Sequence, residues 1–332
     1  PHSVRSEKMD RLFPLSHQIF EVLLHGHMKG MQLHRHYEIF EEEKDDPSYA
    51  EFLTNYERIN PETEGVPRRS KDHFIDGWVF DGLFTEWPVY IEQLYKWYRE
   101  SGGSIVRKKL TPEEISELPG EIVCNCSGIW SSGLFKDEQS LLVSKGHLLH
   151  IKDAPLLKDG KGQIPSYNYT AGKDVYSDSS GKALDVYFYP RTNGWILGGS
   201  RLDGSVDQYG RWQGTEFDGQ TVVIDGIELP RPIYELNRQI LQQTYEIPLQ
   251  QFEEMTTKIG YRYVRRHDGA GLRLETSTEF GKQVVHNYGH GGAGVTLSWG
   301  CALYVAGLVK QNVSKLDEYS RKVEGKLQKF LT

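Results

Sequence analysis

Apolar residues recur at helical spacing over residues 11–25 (RLFPLSHQIFEVLLH) and from Trp87 to Glu100 (WPVYIEQLYKWYRE), which predicts two amphipathic helices. Thr85 is the expected cap of the second, and Gly102-Gly103 its stop. A short strand is predicted at Ser104-Ile105-Val106. Thr111-Pro112-Glu113-Glu114 then reads as the start of a short helix ending at Pro119. Ile122-Val123-Cys124-Asn125-Cys126 is apolar enough to predict a buried strand, broken by Ser127-Gly128. Strand, helix, buried strand implies α/β architecture.

The middle of the chain alternates instead. Leu184–Tyr189 and Trp195–Gly199 flank Asn193-Gly194, a pair suited to a tight hairpin turn. Further strand-like runs follow at 252–263, 272–276 and 283–286, so this part is predicted to be mostly antiparallel. Residues 313–331 form a charged amphipathic pattern, expected to be a solvated covering helix.

Bulk composition removes several classes of function. The 332 residues suffice for about two domains. The net charge of -7 offers no basic face for phosphates, so nucleic acid is excluded as a partner. Gly289 to Val309 runs without Lys, Arg, Asp or Glu, a length that would suit a membrane span. Its glycine-dense opening instead predicts a loop followed by a buried helix. Three cysteines, Cys124, Cys126 and Cys301, make no disulfide framework, and a reducing cytoplasm is the expected setting. Cys126 is expected to be a small buried hydrophobe. His25, His27, His34 and His36 form two H-x-H pairs, expected to be solvated loop histidines, and no metal is assigned.

The strongest local pattern is a strand that meets a glycine loop and then a helix, from Gln283 to Thr296. Gly289, Gly291 and Gly294 formally satisfy G-x-G-x-x-G, but no second strand with a closing acid follows, so this is not a pyrophosphate-binding unit. Free amides at a helix start still suit an anion or the electron-rich edge of a reduced flavin. A tight turn that merely packs helix on strand is the competing reading.

The segment His286-Asn287-Tyr288-Gly289-His290-Gly291-Gly292, with Gly294, Thr296 and Trp299-Gly300-Cys301-Ala302-Leu303, resembles the C-terminal motif of the D-amino-acid oxidase family. Asn125 to Trp130, Gly146 to Pro155 and Gly260 to Arg265 are similar to further segments of that family, in order. The resemblance runs from about residue 10 to 310 and implies a fold of α/β plus antiparallel α+β type. It implies a Rossmann-like flavin-binding domain (1–30, 103–155 and 280–332) and an antiparallel-sheet substrate domain (31–102 and 156–279). The family opens with its own strand and G-x-G-x-x-G. Neither occurs in this sequence, and Pro1 falls about where that segment would end, so the flavin domain is expected to be N-terminally incomplete.

The resemblance implies FAD as cofactor, held by Lys109, Ser127, Gly128, Gly291, Gly294, Val295 and Thr296. It implies a small-molecule amino acid or amine as substrate, its carboxylate clamped by Arg262, supported by Tyr187, with the carbonyl of Gly292 facing the amine. The second substrate tyrosine of the family has only loose counterparts, Tyr169 and Tyr176. Ala293 and Arg266 stand where the family usually has Tyr and Pro. No catalytic side chain is implied: the hydride passes from the carbon bearing the amine by orientation alone. The implied reaction takes a D-amino acid to an imino acid, then to 2-oxo acid and ammonia, with dioxygen reduced to hydrogen peroxide. Two other readings stay open: a related flavin amine oxidase or tailoring enzyme for another amine, and a cofactor-less carboxylate-binding remnant. Self-association into a homo-oligomer is also left open.

Overall fold

A computed structural model describes residues 8–137, 141–207, 211–265 and 271–331; Pro1 and Arg266 lie outside them. The chain divides into two compact units, 1–32 with 85–143 and 262–332, and 33–84 with 144–261. Relative to the sequence reading, 85–102 and 262–279 fall in the first unit, and 144–155 in the second.

The first unit is α/β. Its sheet has three strands in the order Arg273–Glu279, Lys282–Tyr288, Ile122–Asn125. The outer pair is antiparallel, and Lys282–Tyr288 runs parallel to Ile122–Asn125. Helices Met9–His25, Trp87–Glu100, Ser298–Val309 and Leu316–Leu331 accompany it. Leu12, Leu272, Leu274, Ala293, Leu297 and Cys301 form one of its cores. The uncharged run therefore supplies a 12-residue helix, and no helix among the described residues is long and apolar enough to cross a membrane.

Several local expectations change here. Residues 104–106 form no strand, and Val106 is 81% exposed: two apolar residues cannot hold a strand without a neighbour. Thr85 ends a strand, and the helix instead starts after Glu86 with no side-chain cap. The segment after Thr111 is a single 3-10 turn, Glu113–Ile115, although Glu114 Oε2 does accept from the Thr111 amide. Among the described residues Ile122–Asn125 pairs with one strand, Lys282–Tyr288, and is not buried: Ile122, Cys124 and the following Cys126 are exposed, so Cys126 is not the buried hydrophobe expected.

The second unit is built on a large mixed sheet. Its order is Trp212–Gly214, Leu202–Val206, Leu141–Ile151, Gly194–Gly198, Asp185–Arg191, Ile164–Thr170, Met31–Phe40, Asp76–Thr85, Thr54–Arg58, with Met255–Arg265 beside Leu141–Ile151. Most pairs of assigned direction are antiparallel; Met31–Phe40 with Ile164–Thr170 is parallel. Side-chain alternation sorts the sheet into two faces. Ile39, Tyr167, Tyr169, Val186, Phe188 and Leu197 share the core with Ile233, Leu236, Ile240 and Leu241 of the helix Arg231–Tyr245. The other face carries His34, His36, Glu38, Asn168, Tyr187 and Tyr189.

The hairpin is present, but its turn residues are Thr192 and Asn193, since Arg191 pairs with Gly194. Gly194 takes φ +111, and a Cβ there would lie 2.1 Å from the Ile151 carbonyl oxygen, so close strand approach demands that glycine. His34 and His36 are not solvated: they lie buried on Met31–Phe40, whereas His25 and His27 are exposed. Among the described residues no group of three or more His, Cys, Asp or Glu is placed to hold a metal ion.

Candidate active site

In the first unit, Lys282–Tyr288 ends at Gly289. There φ is +87, and a Cβ would meet the Gly271 carbonyl oxygen at 2.5 Å, so conformation and space both exclude a side chain. His290 follows, buried enough to push its pKa down to about 4, with Nε2 3.0 Å from Asn287 Oδ1. Gly291, at φ +55, opens a 3-10 turn, Gly291–Ala293, and the chain then coils directly into Ser298–Val309. The Ala293 amide donates to the His290 carbonyl and that of Leu297 to Ala293. Among the described residues, no backbone carbonyl accepts from the amides of Gly294, Val295 or Thr296. Three successive N–H groups thus remain in the turn that leads into Ser298–Val309, ahead of its N-cap Leu297.

The parallel neighbour ends in a second such turn. His286 is in register with Asn125, so the loops that leave these two strands emerge at the same carboxyl edge of the sheet. In α/β sheets that edge is where ligands bind. Gly128 has φ +59, and a Cβ there would meet nothing within 4 Å; its glycine answers to the backbone alone.

A buried polar chain fixes this edge. Asn125 Oδ1 accepts from the Ser127 amide at 3.1 Å and its hydroxyl at 2.6 Å. The Asn125 amide group therefore faces His286 Nδ1, 3.1 Å away, and donates to it. That leaves the imidazole proton on Nε2, which lies 3.1 Å from Glu279 Oε1 and 2.9 Å from Ser277 Oγ. Burial, with the charge of Arg273, lowers the His286 pKa, in keeping with a neutral ring. Ser131 Oγ closes the chain 2.9 Å from Ser127 Oγ.

Of the residues expected at the site, Gly291, Gly292, Gly294, Val295 and Thr296 lie in one continuous turn, and Ser127 and Gly128 in the other. Arg262 is half-buried on Met255–Arg265, on the side opposite the buried Tyr263 and Arg265. Lys109 lies exposed in an irregular segment. Tyr187 belongs to the second unit, half-buried, paired with Asn168 and Gly198, its ring 5.5 Å from that of Tyr189. Tyr169 and Tyr176 are buried in that unit's core, donating to Glu41 and to the Gly199 carbonyl; neither stands on the face of Tyr187. A cleft of about 500 Å³ in the same unit is lined by Arg69, Tyr176, Phe217 and Arg231; Tyr176 is the one expected residue on it.

Sequence reasoning missed the side chains that tie these turns down: Asn125 and Glu279 around His286, and Asp137 with Arg265 and Tyr288. Asn125, Arg265, His286 and Tyr288 stood inside the motifs. Their partners are 7 to 161 residues away along the chain, and no spacing rule marks them.

The chain matches the family described as FAD dependent oxidoreductase over residues 5–308 and belongs to it. Its relatives include D-amino-acid oxidase of Dictyostelium discoideum, 25% identical over 83% of this chain and 67% of that protein. Another is D-aspartate oxidase of Homo sapiens, 30% identical over 73% of this chain and 60% of that protein. The chain thus spans about three fifths to two thirds of the length of these relatives. Among solved structures, glycine oxidase from Bacillus cereus has the same fold, with a TM-score of 0.59, 15% identity, and coverage of 92% of this chain and 83% of that one.

Proposed function

We propose that this protein oxidises the CH–NH2 group of a D-amino acid, giving an imino acid that water converts to 2-oxo acid and ammonia. Dioxygen would accept the electrons and leave as hydrogen peroxide. The observation that carries this reading is the meeting of two glycine turns at one carboxyl edge, with the amides of Gly294, Val295 and Thr296 left to a ligand. FAD suits those donors, and Ser127, Gly128, Gly291, Gly294, Val295 and Thr296 are the residues proposed to hold it, with Lys109 on its adenosine side. Bound FAD supplies a two-electron acceptor for the substrate's α-hydrogen as hydride.

The chain's own residues bind and orient. Arg262 offers a planar fork with two parallel donors for a carboxylate. The Gly292 carbonyl accepts from the substrate amine, and the Tyr187 hydroxyl donates to the substrate. No side chain is required as a base when the amine enters neutral.

The test is anaerobic titration of the FAD-loaded protein with D- and L-amino acids, glycine and sarcosine. D-Amino acids are expected to bleach the flavin bands, with peroxide formed once air is admitted. Arg262→Lys should raise KM about 10- to 100-fold, the worth of a charge-assisted bidentate pair. Bleaching by sarcosine but by no D-amino acid would refute the proposed substrate class.

A further inference from the structure

We propose that Asp137, Arg265 and Tyr288 form a positioning knot that fixes Arg262 relative to the Gly291–Gly292 turn and so sets how tightly a substrate carboxylate is held. The inference rests on the reading of Arg262 and Gly292 given above.

One carboxylate joins two strands. Asp137 Oδ2 accepts from Arg265 Nε at 2.9 Å and from the Tyr288 hydroxyl at 2.5 Å, and Oδ1 lies 3.4 Å from Arg265 Nη2. Arg265 follows Arg262 by three residues on one strand, and Tyr288 precedes Gly291 by three on another. Both charged partners are buried, at 8% and 4% exposure, where no water can replace a lost contact. Arg273 Nη1 donates to the Tyr288 oxygen at 2.9 Å, which leaves the phenol proton for Asp137. The Tyr263 ring stacks on Tyr288 with centroids 6.0 Å apart. At Gly289 the strand passes so near that a Cβ would lie 3.1 Å from Arg265 Cβ. Because side chains alternate along a strand, clamping Tyr263 and Arg265 inward dictates where Arg262 emerges.

The three are assigned to holding Arg262 and the turn, so the effect is expected in binding rather than turnover. In the FAD-loaded protein, Tyr288→Phe should raise KM for the preferred D-amino acid, and Kd for benzoate read from the flavin spectrum, about tenfold. Turnover at saturation should stay within about threefold, and FAD should be retained. Asp137→Asn should do the same more strongly; if it fails to fold, Tyr288→Phe decides. A folded, FAD-loaded Tyr288→Phe protein with wild-type KM and Kd overturns the knot. A wild-type protein that binds benzoate through Arg262 yet oxidises no D-amino acid overturns the proposed reaction alone. There, weaker benzoate binding by Tyr288→Phe would still support the knot, and unchanged binding would overturn it. A wild-type protein that binds no carboxylate overturns both.

Discussion

Gly198 shows how one missing side chain can set the place of Tyr187, a residue proposed for the substrate. Tyr187 pairs with it across the hairpin, and the phenol lies over its backbone: a Cβ at 198 would meet the Tyr187 ring and hydroxyl at 2.3 Å. Gly198 is not among the positive-φ glycines, so what it supplies is room rather than conformational freedom. Gly198→Ala should therefore cost about 1–3 kcal/mol by overpacking, and should raise KM by turning the phenol aside. In a Tyr187→Ala background the stability loss should shrink, which urea unfolding of the four proteins of the cycle would measure. Strictly additive losses would break the link between the two residues. The hairpin was legible from its apolar alternation and its Asn-Gly pair. That Tyr187 covers Gly198 was not, because the register depends on the turn falling at Thr192–Asn193.

Among the elements, the helix Ser298–Val309 crosses Met9–His25 at contact distance. A Cβ at Gly300 would fall 2.1 Å from the Leu12 carbonyl oxygen, and the Gly300 amide donates to Ser16 Oγ at 2.7 Å. That serine satisfies one of the donors a helix start leaves open. Gly300→Ala is expected to destabilise by about 3 kcal/mol, since the obstruction is backbone rather than a movable side chain. Gly325→Ala, in Leu316–Leu331, should do the reverse: nothing lies within 4 Å of a Cβ there, and a helix-interior alanine gains about 0.5–1 kcal/mol. Thermal melts of the two variants should move in opposite directions, and a melt raised by Gly300→Ala would contradict the close crossing. An uncharged run behind a glycine loop announced a buried helix. Which of its glycines marks the crossing depends on Leu12, nearly the whole chain away.

For the molecule as a whole, buried imidazoles contribute to the response to acid. Burial, helped by the charges of His36 and Arg191, pushes His34 down to about 3. Burial and Lys145 push His147 down to about 4. Each ring binds its proton less readily in the folded protein than in the unfolded chain, where the pKa is about 6.5. The unfolded state therefore takes up protons first as pH falls. Stability is full above about pH 6.5 and drains away toward pH 3 for His34 and pH 4 for His147, on the order of 1.4 kcal/mol per pH unit for each. His34→Phe, which keeps a ring against Phe84, should flatten the fall in Tm between pH 6.5 and 4.5. An unchanged slope would show that this ring is protonated in the folded protein.

The linear chain determined what short-range chemistry encodes. The helices Met9–His25 and Trp87–Glu100 showed in the spacing of apolar residues, the hairpin in alternation, and the loop into Ser298–Val309 in glycines that follow a strand pattern, because each depends on residues a few positions apart; Arg231–Tyr245 was not read. Tertiary structure decided the rest: that His34 and His36 are buried, that Ile122 and Cys124 are exposed, and that Asp137 joins Arg265 to Tyr288. Burial and charge pairing belong to neighbours brought together from distant positions, and a local pattern carries no record of which neighbours those will be.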